Sequence, residues 1–144
     1  MRRLVAAGVV LAVAAVPGLA FGYGTAKTTK LEAKLAGKNE VPKAGSATGE
    51  AYVQITGAKV CWQFEHLKGT SGAAAAHIHK APAGRAGPVL VPLAAAFKAK
   101  GCTTAPAAVT AAIAAHPSAY CVNIHTKKYP AGALRGQLGE ADES

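Results

Sequence analysis

His77-Ile78-His79 is the segment of this 144-residue chain best suited to chemistry. In an extended strand, residues two apart project from the same face, so the two imidazoles can reach one ion. His125 ends a run in which Tyr120, Val122 and Ile124 alternate with Cys121, Asn123 and His125, so it points away from the apolar residues of its own strand. Pairing of the two segments would bring a third ring nitrogen to the first two. Three neutral imidazoles with an open position suit copper or zinc. The competing reading is that the pair hydrogen-bonds to carbonyls of the loop beside Gly84 and Gly87. His66, at a strand end, and His116, before Pro117 at a helix end, read as structural, since an imidazolium at a helix C-terminus is favoured by the dipole.

Carboxylate chemistry is scarce. The sole Asp is Asp142, and the acids in the body of the chain are Glu32, Glu40, Glu50 and Glu65. That excludes a calcium cage of clustered oxygens and a Ser-His-Asp triad. Glu40, in Asn39-Glu40-Val41-Pro42, and Arg135, in Leu134-Arg135-Gly136-Gln137-Leu138, are charges in apolar or turn-forming surroundings, which an ion pair between them would explain. Glu40 as an isolated catalytic acid has no second carboxylate at hand.

Three cysteines leave one odd thiol. Cys61, on an outward strand face, and Cys102, in a Gly-Cys-Thr loop, are the preferred disulfide. Cys121 also faces outward, which keeps a Cys61–Cys121 bridge open, and a thiolate ligand beside His125 is a third arrangement. Without an adjacent cysteine pair, thiol redox catalysis is disfavoured.

The elements that must carry these residues are short strands. Leu31 and Leu35 alternate with Lys30, Glu32 and Lys34. Ala51, Val53 and Ile55 follow the Gly/Pro-rich loop of residues 39–49, and Val60, Trp62 and Phe64 follow the tight connection Thr56-Gly57-Ala58-Lys59, which predicts a hairpin. Ala74 to His79, Val89 to Leu93, Tyr120 to His125 and Ala133 to Leu138 bring the count to about seven. Between Thr104 and His116 the period changes to that of one short Ala-rich helix, with Val109 and Ile113 on one face and Pro117 as its stop. The spacing predicts an all-β fold, an antiparallel β-sandwich with Greek-key-like connections.

Composition fits one domain with a modest core, because 35 alanines inflate the 51% hydrophobic content. Met1-Arg2-Arg3, the apolar stretch Leu4 to Ala20 and the small residues at Gly18, Ala20, Gly22 and Gly24 read as a signal peptide over residues 1–22, cleaved near Ala20 or Gly22. The mature chain is then expected to be secreted and to have no transmembrane segment. The net charge is +9, of which Arg2 and Arg3 supply two. The lysines are scattered and not interleaved with aromatics, which argues against nucleic acid and leaves an extracellular protein or an anionic envelope polymer as partner, or plain solubility, since Lys on strands also blocks edge-to-edge association. Residues 139–144 form an acidic tail.

Taken together, Leu35-Ala36-Gly37-Lys38-Asn39-Glu40-Val41-Pro42, Ala75-Ala76-His77-Ile78-His79, Gly87-Pro88-Val89, Val122-Asn123-Ile124-His125-Thr126 and the closing Gly132 to Leu138 segment resemble the CHRD (chordin-type) domain over residues 29–138. The resemblance implies an extracellular β-sandwich with no established catalytic activity, so a secreted, non-enzymatic binding or structural module is expected. Lys43, Ala81 and Cys121 depart from the usual pattern. His77, His79 and His125 also resemble, more faintly, the copper-ligand pattern of copper–zinc superoxide dismutases. What that likeness implies is a copper site at most, with zinc the weaker candidate, since the Asp and additional His cluster of the zinc site are missing. Superoxide chemistry, with Arg85 attracting the anion, is the alternative function.

Overall fold

The computed structural model describes residues 26–142, and residues 1–22, expected to be a signal peptide, lie outside them. Nine strands and one helix follow in order: β1 (Thr28–Ala36), β2 (Thr48–Thr56), β3 (Lys59–Lys68), β4 (Ala73–Lys80), β5 (Val89–Pro92), β6 (Lys100–Thr104), α1 (Ala107–Ala115), β7 (Tyr120–Thr126), β8 (Leu134–Gln137) and β9 (Gly139–Glu140). All pairings are antiparallel, in the order β5-β4-β7-β8-β1-β2-β3-β6, with β9 also on β1. The all-β expectation with one short helix holds, and the two layers belong to one continuous sheet curled into a half-barrel.

Alternation decides which side of the curl each residue takes. Leu31, Ala33 and Leu35 of β1, Ala51, Val53 and Ile55 of β2 and Val60, Trp62 and Phe64 of β3 are buried in one cluster with Ala76 and Ile78 of β4 and Val122 and Ile124 of β7. β2 and β3 form the expected hairpin, with Thr56 opposite Lys59. After β3 the chain crosses to the far half of the sheet to make β4 and β5, then returns to β6 beside β3. The returning segment laces the halves together: Leu93 and Phe97 donate their N–H groups to Ala76 O and Ala74 O at 3.0 and 2.9 Å, and Phe64 N–H donates to Ala99 O at 2.7 Å. These bonds satisfy edge groups that would otherwise be left without partners.

The helix is shorter than the periodicity suggested. Its Ile113 is buried in the core, and Thr110 Oγ1, also buried, donates to Gly57 O at 2.8 Å, docking α1 on the β2–β3 turn. Cys102 corrects the sequence reading in one respect, because it lies in β6 rather than in a loop. It faces Cys61 across β3 and β6, and the two form a disulfide. Cys121 is free and fully buried, which removes the Cys61–Cys121 pairing. The acidic tail begins as β9, with Glu140 opposite Leu31. Among the described residues no helix is long and apolar enough to cross a membrane.

Candidate functional site

The outer face of β4, β7 and β8 carries the residues singled out by their chemistry. In β4, Ala76 and Ile78 take the core, which leaves His77 and His79 on the outside. In β7, Tyr120, Val122 and Ile124 take the core, leaving Cys121, Asn123 and His125 outside. The register sets Ala75 opposite His125, His77 opposite Asn123 and His79 opposite Cys121, so His125 is the diagonal neighbour of His77. On the other side of β7, Arg135 faces Asn123 and Gln137 faces Cys121. Two rows therefore run across three strands, His77/Asn123/Arg135 and His79/Cys121/Gln137.

An outer sheet face would ordinarily be wet, yet Cys121, Asn123 and Arg135 are buried, and so is Glu40, which reaches the layer from the loop after β1. Loop contacts explain this. Arg135 Nη2 donates to Pro82 O at 3.2 Å, and Gln137 Nε2 donates to Ala81 O at 2.9 Å and Ser118 O at 2.8 Å. Asn123 Nδ2 donates to Glu40 Oε1 at 2.7 Å. Glu40 and Arg135 thus come into one buried layer, but the guanidinium acts on the carboxyl through space, while the direct hydrogen bond to the carboxyl comes from Asn123. Burial pushes the Glu40 carboxyl above its ordinary value, and the Arg135 charge and the Asn123 bond offset this only in part. Burial likewise raises the Cys121 thiol, which fits an inert packing residue rather than a nucleophile or thiolate ligand.

The three imidazoles converge. One ligand atom from each of His77, His79 and His125 lies within 4.8 Å of the others. His77 Nδ1 is 3.1 Å from His125 Nε2, His79 Nδ1 is 2.9 Å from Gly87 O, and His125 Nδ1 is 2.8 Å from Pro130 O. A carbonyl only accepts, so the hydrogen-bond network places a proton on Nδ1 of His79 and of His125, and in the neutral form of either ring Nε2 is then the lone pair. Burial lowers the pKa of both His77 and His79, favouring the neutral rings. The Nε2 of His79 is buried and has no partner. The loop-carbonyl reading and the convergence of the rings therefore coexist, because the carbonyl at Gly87 holds the far nitrogen of the same ring.

Two glycines permit these contacts. A Cβ on Gly87 would run into Lys80 O, and a Cβ on Gly132 would sit 2.6 Å from Asn123 Nδ2 and Glu40 Oε1. Each lets a loop backbone press onto the layer. Asn123 is the residue sequence reasoning passed over. Its signal is an amide between Val122 and Ile124 in mid-strand, where Asn is disfavoured. His66 and His116 lie elsewhere, and His66 Nδ1 meets Glu50 Oε2 at the surface, 3.0 Å away.

Beside the layer, loop residues 38–43 and Ala83-Gly84 enclose a cleft of about 610 Å³ over Arg135, Gly136 and Gln137. Lys38 and Lys43 line it together with Glu40, Val41 and Pro42.

Comparison with curated proteins finds no match. Comparison with solved structures finds none either. The family model of the CHRD domain, however, matches residues 31–138, from the first core leucine of β1 to Leu138 beyond β8. That span takes in the sheet path from Leu31 of β1 onward, and the chain belongs to the CHRD-domain family.

Proposed function

We propose that this CHRD domain is a secreted, non-enzymatic binding module whose cleft over Arg135 takes an anionic extracellular ligand, an envelope polymer bearing carboxylates or phosphates. The observation that carries the reading is the placement of Arg135. Its guanidinium is buried, yet it lines the cleft and is bonded to a carbonyl rather than to a carboxylate. Lys38 and Lys43 add two cations to the same cleft, and burial favours the uncharged form of Glu40, the one acid lining it. A guanidinium held in low dielectric is a strong partner for an oxyanion. Val41, 37% exposed, and Pro42 give the cleft an apolar side against which a polymer backbone can lie. The disulfide supports export, since such bonds persist in oxidising compartments.

Poly-L-glutamate and polyphosphate of defined length, titrated into the protein at several salt concentrations, test this. The double variant Lys38→Ala/Lys43→Ala is expected to bind about tenfold more weakly with a shallower salt dependence, while Lys59→Ala/Lys98→Ala, outside the cleft, binds as the wild type. Equal losses in the two double variants would show diffuse attraction and overturn the assignment.

A further inference from the structure

Independently of the cleft, we propose that His77, His79 and His125 form a mononuclear site for a borderline divalent cation, Cu(II) ahead of Zn(II), with Nε2 of His79, Nε2 of His125 and Nδ1 of His77 as the ligand atoms. Two of the three donors are already set. His79 and His125 each give their Nδ1 proton to a backbone carbonyl, Gly87 O and Pro130 O, and such outer contacts fix the tautomer and orientation of a metal-binding imidazole. The His79 lone pair on Nε2 is buried and meets no donor, an arrangement that a hydrogen-bonded histidine network does not require and a cation satisfies.

His77 completes the set. With no cation bound and His125 neutral with its proton on Nδ1, His77 Nδ1–H is the donor to His125 Nε2 across 3.1 Å. A cation takes the place of that proton: the proton of His77 moves to Nε2, and both facing nitrogens turn their lone pairs to the ion. Nitrogens bound to one ion at about 2.0–2.1 Å are at most about 4.2 Å apart. His77 Nδ1 and His125 Nε2 are already 3.1 Å apart, and one nitrogen from each of the three rings lies within 4.8 Å of the others, so small ring shifts close the set. The donor set is all imidazole, which selects against Ca(II) and Mg(II), and the usual order of divalent affinities places Cu(II) above Zn(II). All three histidines are partly exposed.

The test is titration of the purified protein at neutral pH with Cu(II) alone and Zn(II) alone, followed by calorimetry and electron paramagnetic resonance. The expected result is one equivalent of Cu(II) with coupling to three imidazole nitrogens and a weaker single equivalent of Zn(II). Affinity should fall at least about 100-fold in His79→Ala and in His125→Gln, with His116→Ala unchanged. Circular dichroism identifies folded variants, and His125→Gln serves if His79→Ala does not fold. Absence of stoichiometric Cu(II) uptake, uptake retained in the folded cluster variant, or uptake lost in His116→Ala would overturn the proposal.

Discussion

Glu40 shows how finely the outer layer is balanced at the level of single residues. Burial holds its pKa above the ordinary value of 4.5 even though Arg135 and Asn123 pull it down. A carboxyl with a raised folded-state pKa contributes fully to stability below its unfolded pKa, and the contribution is lost as the pH rises through the folded value. Glu40→Gln keeps an acceptor for Asn123 Nδ2 and never ionises. Urea unfolding between about pH 4 and pH 8 is therefore expected to show the variant gaining stability relative to the wild type as the pH rises. A relative loss with rising pH would mean that attraction to Arg135 outweighs desolvation. The outward placement of His77, His79 and His125 was legible because a period of two leaves no other face for them once Ile78, Val122 and Ile124 take the core. The burial of Cys121 and Asn123 was not, because the cover comes from loops distant in sequence, carrying Glu40 and Pro82.

Among the elements, β6 was the hardest to read. Lys100-Gly101-Cys102-Thr103-Thr104 has no bulky alternation, since it packs on β3 through Gly101 under Trp62 and through the disulfide rather than through apolar side chains. Covalent closure across 41 residues of sequence restricts the unfolded chain, so Cys61→Ala/Cys102→Ala is expected to lose about 4 kcal/mol in guanidinium unfolding. No loss would show that β6 holds without its bridge. The helix was legible in kind and placement, from its alanines and Pro117, and its contribution is concentrated at Ile113, which has no exposed surface. Ile113→Ala is expected to cost about 2–5 kcal/mol in the same assay, whereas a value near zero would mean that α1 is not docked.

Across the whole molecule, the curl of one sheet creates two interiors, an apolar one on the concave side and a polar one on the convex side under the loops after β1, β4 and β7. Periodicity made the faces readable, but it does not say which strands hydrogen-bond, so the continuous path that joins the two layers was not legible. The order of the strands matters for function because it seats β7 between β4 and β8, with His77 on one side of Asn123 and Arg135 on the other. The Gly87 and Pro130 carbonyls that orient two of the rings come from different loops, so the tautomers report whether the chain closes around the layer as described. Long-range proton–nitrogen NMR spectra of the metal-free protein at neutral pH read them directly. The account predicts His79 and His125 protonated on Nδ1 and bare on Nε2, and either ring found with its proton on Nε2 would contradict it.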